Sequence, residues 1–355
     1  MAILQTTFTQ VTPDTLKGVI EVCARILRPV FIWGHPGIGK SDIVRQVAKT
    51  MDAFIFDIRA SQLDAVDTRG IPYVTSEQLT AWAIPSLFPT AAFAAQHKLI
   101  FIFLDELNNA PPSVQAALYQ LVLDRKLGDY VLPDNVIVIA AGNLETDRGA
   151  THRMATPLAD RFFHVELLVD NQAWEKWALG DADIHLAVVA YIRWRPEHLH
   201  VWDAKSPSKA QATPRGHEYV SDAIKECEKS GINGAVEAAL ISGKLGEAVG
   251  AELTGFLPIF RNLPDPVGVI MAPDAADIPN DPATMYALCG AIAQQTSKTN
   301  IDRVLRYATR VKECSHAGPE FAILLVRQAI TKHPEVQQTK GFLKWATDNG
   351  EDMVK

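Results

Sequence analysis

The chain has 355 residues, 48% of them apolar and 21% charged, with a formal net charge of −7. That length exceeds what one hydrophobic core usually organises and predicts two or three domains. No apolar run approaches the roughly 18 residues needed to cross a bilayer, and the acidic balance argues against a generally basic surface for nucleic acid. The start, Met1 to Thr7, has neither a basic segment nor an apolar stretch behind it, so it does not read as a signal peptide, and a cytoplasmic location is the expectation. Cys23, Cys227, Cys289 and Cys314 are far apart and read as buried free thiols, not as a metal or redox motif.

In chain order, Thr12-Pro13-Asp14 predicts a helix start, with the helix running to about Leu27. Val30 to Trp33 is a short apolar run of the kind a strand buried on both faces needs, and similar runs recur at 53–58, 99–104, 135–141 and 162–167. Helical patterns lie between several of them, which predicts an α/β domain with a parallel sheet. Val114, Leu118, Leu121 and Val122 form one apolar stripe behind Pro111-Pro112, a core-facing helix. Residues 126–135 read as a hairpin with two turn signals, of which Gly128-Asp129 is preferred, and the segment 61–97 is long for a simple crossover and predicts an insertion. After Leu167 the pattern becomes helical. We expect the first domain to end near Val169, a helical linker and lid over 170–255, and a further helical region over 256–355, where Phe342 and Trp345 suggest core packing.

Gly34-His35-Pro36-Gly37-Ile38-Gly39-Lys40-Ser41 fits G-x-x-x-x-G-K-[ST], and it lies between an apolar strand and a helical segment. Its glycines let backbone N–H groups curl around phosphate oxygens. Lys40 would reach the β- and γ-phosphates of a nucleoside triphosphate, ATP being the expectation, and Ser41 would ligate Mg²⁺. The run Leu99 to Leu104 ends in Asp105-Glu106, adjacent carboxylates that a metal would reconcile with their position. Asp105 fits the Mg²⁺ shell, and Glu106 the base or positioner for an attacking water. Asn143, at the end of another apolar strand, could orient that water, touch the γ-phosphate, or be a turn residue; Arg161 and Arg215 would each, alone, read as surface arginines.

Together these residues resemble the AAA+ ATPases and, within them, the MoxR clade, over roughly Val30 to Ile224. Asp105 to Leu118 is similar to that clade's acidic strand end and following helix, and Ala159-Asp160-Arg161-Phe162 to its arginine-finger segment. The resemblance implies a sheet of order 5-1-4-3-2, an all-α lid, and ATP bound between subunits of a homo-oligomeric, hexameric ring. It gives Asn143 the sensor-one role, Arg161 that of the finger reaching a neighbouring subunit, with Arg148 and Arg153 as rivals, and Arg215, in Thr213-Pro214-Arg215, that of sensor two. It also implies an insertion and a hairpin facing pore or client. Tyr73 reads as an aromatic packed after a proline turn, with a pore-facing role as the alternative. The function so implied is remodelling of a partner protein complex, a von Willebrand factor A-domain protein being one candidate partner. Rubisco activation and metal insertion are narrower versions. A nucleic-acid motor or loader would need a basic stripe that 61–97 lacks, and a scaffold that binds ATP without turnover would not need Glu106.

Overall fold

The protein is described by a computed structural model covering residues 8–127, 130–147, 160–232 and 234–349. Its contacts divide it into two compact units, Met1–Asp170 with Asp203–Ser206, and Asn171–Trp202 with Pro207–Lys355.

The first unit is built on a six-stranded sheet. Its strands are β1 (Thr9–Val11), β2 (Val30–Trp33), β3 (Phe54–Arg59), β6 (Ile100–Asp105), β9 (Val136–Gly142) and β10 (Phe163–Leu167), ordered β1-β10-β2-β9-β6-β3. Every pairing in it is parallel. Without β1 the order is the expected 5-1-4-3-2, and each of the five expected strands is present to within a residue at either end. The edge strand β1 was not anticipated; it has three residues, only Val11 of them buried, and so no apolar run to announce it.

Apolar side chains leave both faces of the central strands, which is why these segments read as continuous apolar runs. Phe31, Trp33, Ile102, Leu104, Val138 and Ala140 share one face with Val114, Leu118 and Leu121 of α5 (Pro112–Asp124). Val30, Ile32, Phe101, Phe103, Ile137 and Ile139 share the other with Leu16 and Ile20 of α1 (Pro13–Arg25) and Val44 and Val47 of α2 (Lys40–Thr50). Burying side chains of this size stabilises by about 1.5–3 kcal/mol each. The helix α1 starts as expected, with Thr12 as N-cap and Pro13 in the first turn, where a missing N–H costs nothing.

The insertion holds a 3₁₀ turn at Ala60–Gln62, α3 (Ala65–Arg69), an antiparallel pair β4 (Ile71–Val74) and β5 (Thr80–Ala83), and α4 (Ala91–Ala94). Gly70 joins α3 to β4 at φ +83, and a Cβ there would lie 1.9 Å from the carbonyl oxygen of Ala83, so only glycine fits. Ile71, Val74, Leu79 and Tyr73 are exposed, Tyr73 to 53%. The reading of Tyr73 as a packed aromatic is therefore corrected: among the described residues none of the apolar clusters takes in a residue of this two-stranded ribbon. The later hairpin is present as β7 (Lys126–Leu127) and β8 (Tyr130–Val131); its expected turn at Gly128-Asp129 lies outside the described residues.

The second unit is helical: α6 (Asn171–Gly180), α7 (Leu186–Trp194), α8 (Pro214–Ser230), α9 (Ala235–Leu245), α10 (Glu247–Arg261), α11 (Pro266–Met271), α12 (Pro282–Gln294), α13 (Ile301–Glu313), α14 (Gly318–Lys332) and α15 (Lys340–Asp348). Phe342 and Trp345 of α15 pack into one apolar cluster with Val304, Tyr307 and Leu325. The division expected at residue 255 falls inside α10. Cys23, Cys227 and Cys289 are buried, as expected of free thiols, but Cys314 is only half-buried, because it follows α13 at the chain's turn toward solvent. Among the described residues no helix is long and apolar enough to cross a membrane.

Candidate active site

Parallel strands place their carboxyl ends along one edge of the sheet, where ligands of open α/β sheets collect. Here Trp33 at the end of β2 pairs with Gly142 at the end of β9, and Leu104 near the end of β6 pairs with Ala140. The segments leaving these three strands are Gly34 to Ser41, Asp105-Glu106 and Asn143 to Asp147.

The loop after β2 turns on glycines. Gly37 and Gly39 lie at φ 74 and 96, where side chains are strained. At Gly34, φ 155, a Cβ would meet the Ile38 side chain at 2.6 Å and the carbonyl oxygen of Leu167 at 3.2 Å. Ile38 itself is buried and pins the loop to the core beside Val30 and Leu167. Gly39 is the N-cap of α2 and supplies no side-chain cap, so the first-turn N–H groups of that helix remain available to an anion.

Lys40 is buried, and its ammonium donates to the carbonyl oxygens of Gly34 at 2.7 Å and His35 at 2.9 Å and to Oδ1 of Asn143 at 3.2 Å. Ser41 Oγ donates to Asp105 Oδ2 at 2.9 Å, while the other oxygen of Asp105 accepts from the N–H of Glu106 at 2.9 Å. A hydroxyl and a carboxylate facing each other beside an ammonium are the donor set that suits Mg²⁺ on a triphosphate. Glu106 sits at φ 56, in the left-handed region, and its Oε2 accepts from Ser61 Oγ at 2.6 Å. Asn143 is gripped from both sides by Asn108, whose Nδ2 donates to the carbonyl oxygen of Asn143 at 2.7 Å and whose Oδ1 accepts its N–H at 3.2 Å. His35, second in the loop, is bonded through Nδ1 to Oδ1 of Asp147 at 2.7 Å. Pro36, half-buried, lies in the turn between His35 and Gly37.

Lys40, Ser41, Asp105 and Asn143 are thus brought into direct contact, and Glu106 adjoins them. Arg161 is not. It is exposed and lies two residues before β10, whose first residue Phe163 pairs with Val30 at the start of β2. The phosphate loop leaves the other end of β2, three residues on, about 10 Å further at the usual rise per residue. Arg215 is exposed in the first turn of α8, in the second unit, behind the N-cap Thr213. Arg148 and Arg153 lie outside the described residues. Sequence reasoning missed Ser61, Asn108 and Asp147. An asparagine two residues after paired carboxylates was a signal for Asn108; Ser61 and Asp147 carry none, because each works through a partner distant in the chain.

Residues 30–167 match the model of the ATPase family associated with various cellular activities (AAA). Midasin of Giardia intestinalis is 27% identical over an alignment of 199 residues that covers 53% of this chain and 4% of midasin, so the chain spans a small fraction of that relative. Among solved structures, a mutant RuvB of Thermotoga maritima has a TM-score of 0.39 at 14% identity, covering 79% of this chain and 80% of that one. A candidate ATPase of Cytophaga hutchinsonii has a TM-score of 0.32 at 16% identity, covering 90% and 85%.

Proposed function

We propose that the chain binds ATP with Mg²⁺ at Gly34 to Ser41, hydrolyses it within a homo-oligomeric, hexameric ring, and uses the cycle to remodel or activate a partner protein complex, as its resemblance to the MoxR clade implies. The observation that carries this reading is the direct contact of Ser41 with Asp105 and of Lys40 with Asn143, since it unites three separate strand ends at one edge of the sheet. Ser41 and Asp105 would hold Mg²⁺, which supplies charge neutralisation on the phosphates when bound. Lys40 would exchange its protein acceptors for phosphate oxygens. Glu106 would accept the proton of the attacking water, and Asn143 would orient that water. Arg161 is assigned to the neighbouring subunit's site and Arg215 to sensing the nucleotide from the helical region.

The partner is proposed to be a protein, with a von Willebrand factor A-domain protein as candidate. The exposed apolar ribbon Ile71 to Ala83, which contains one charged residue, Glu77, supports a protein surface over a nucleic acid as the thing touched. Two variants test the reading. Lys40→Ala should abolish ATP binding, and Glu106→Gln should keep binding and assembly while turnover falls at least about 100-fold. Wild type inactive toward ATP with every protein partner tried, or stimulated by DNA alone, would sink it.

A further inference from the structure

Besides Lys40 with Asn143, the phosphate loop meets the segment after β9 through His35 and Asp147, and the two partners are unequal. The Asp147 side chain is 3% exposed and that of His35 35%. A carboxylate so deeply buried needs donors. One of its oxygens takes the His35 imidazole; the other takes the N–H of Leu144 at 3.2 Å, while the N–H of Asp147 returns to the carbonyl oxygen of Leu144 at 2.9 Å. Residues 144–147 are therefore a self-closed turn, with His35 docked on it from the phosphate loop. The contact Lys40 makes with Asn143 is of a different kind, because any triphosphate that claims the ammonium weakens it, whereas His35 to Asp147 uses no group the phosphates need.

We infer that His35 is a positioning residue: its bond to Asp147 keeps the Asn143 segment in register with the phosphate loop once Lys40 turns to the nucleotide. This rests on the hydrolytic reading above. Asn108 fixes the backbone of Asn143 to the end of β6, and His35 fixes the turn just beyond it to the loop itself, so the side chain of Asn143 is held between two anchors. Removing the second anchor leaves the nucleotide's own contacts intact and lets the amide wander from the reacting phosphate. Turnover then suffers while affinity does not.

The test uses the full chain with His35→Ala and His35→Asn, whose amide can still donate to Asp147. Asp147 is left alone because it also closes its own turn. In the nucleotide-free protein, hydrogen exchange at Leu144 to Asp147 should be about tenfold faster in His35→Ala, with α2 unchanged, and His35→Asn should recover most of the protection. With ATP, His35→Ala should lower kcat about tenfold and leave the Kd of a fluorescent ATP analogue within about twofold, again with recovery in His35→Asn. Unaltered exchange at 144–147 would overturn the inference, as would a loss confined to nucleotide affinity. If wild type shows no turnover the hydrolytic reading fails, and the exchange comparison then decides the contact by itself.

Discussion

Ser61 Oγ donates a 2.6 Å hydrogen bond to Oε2 of Glu106. Ser61 lies in the 3₁₀ turn that follows β3 and opens the insertion, so the proposed base is tethered to the segment that leads into the exposed ribbon. The bond orients the carboxylate towards Ser61, so Glu106 must give it up to turn towards a water at the phosphates. A hydrogen bond to a charged group is worth about 1.5–3 kcal/mol, and both groups here are partly exposed, which lowers that figure. Ser61→Ala should therefore raise basal ATP turnover by about three- to tenfold and weaken its dependence on a partner. Steady-state phosphate release with and without partner measures this; slower basal turnover in the variant would count against the tether.

The grip of Asn108 on Asn143 depends on Gly142. A Cβ there would lie 2.5 Å from Oδ1 of Asn108 and 2.9 Å from the Phe31 ring, and because both groups are buried one of them must be forced out of place. Gly142→Ala should displace the Asn108 amide and destabilise the first unit by about 1–3 kcal/mol, the scale of leaving buried polar groups unpaired. Asn108→Ala should cost a similar amount by the same route, so the double variant should be less than additive. Urea unfolding of the four proteins measures the coupling, and fully additive losses would show that the two residues act separately.

The sheet and much of the candidate site were legible in the sequence for different reasons. Strands buried on both faces, such as Phe101 to Leu104, announce themselves as unbroken apolar runs, and the glycines and Lys40 obey a spacing set by phosphate geometry. The ribbon β4–β5 did not, because its apolar side chains face solvent and Gly70 sets its start by a close backbone approach that no pattern encodes. Ser61 and Asp147 were equally silent. Their partners are 45 and 112 residues away, and only the fold makes them neighbours.

In the second unit, His217 is wholly buried, and burial lowers its pKa to about 4. Its Nε2–H donates to the carbonyl oxygen of His198 at 2.8 Å, while Nδ1 has no hydrogen-bond partner among the described residues. The neutral ring is thus the form that fits. Below a pH of about 6.5 the unfolded chain binds this proton and the folded chain does not, so stability falls as pH drops. The loss should accumulate between about pH 6.5 and 4 and reach about 3 kcal/mol from this residue. His217→Gln, able to donate to His198 but not to titrate, should flatten that part of the profile. Urea midpoints at pH 7.5, 6 and 4.5 for both proteins provide the check; parallel profiles would show that another group governs the acid limb.

Arg161 lies at the end of the sheet opposite the phosphate loop, since Phe163 pairs with Val30 while Gly34 follows Trp33. An arginine side chain reaches about 7 Å, less than the roughly 10 Å that the register alone imposes. If Arg161 contributes to hydrolysis it therefore serves a second copy's nucleotide. Arg161→Ala should then bind ATP normally and lose about 10³-fold in turnover. Lys40→Ala should fail for the opposite reason, by not binding ATP at all. Mixed in one assembly, the two inactive variants can place an intact phosphate loop from the Arg161→Ala copy beside an intact Arg161 from the Lys40→Ala copy. Turnover should return to a sizeable fraction of wild type at equimolar mixing and vanish at either extreme. A mixture as inactive as its parts would mean that Arg161 does not act between subunits, and would leave the site without its proposed trans arginine.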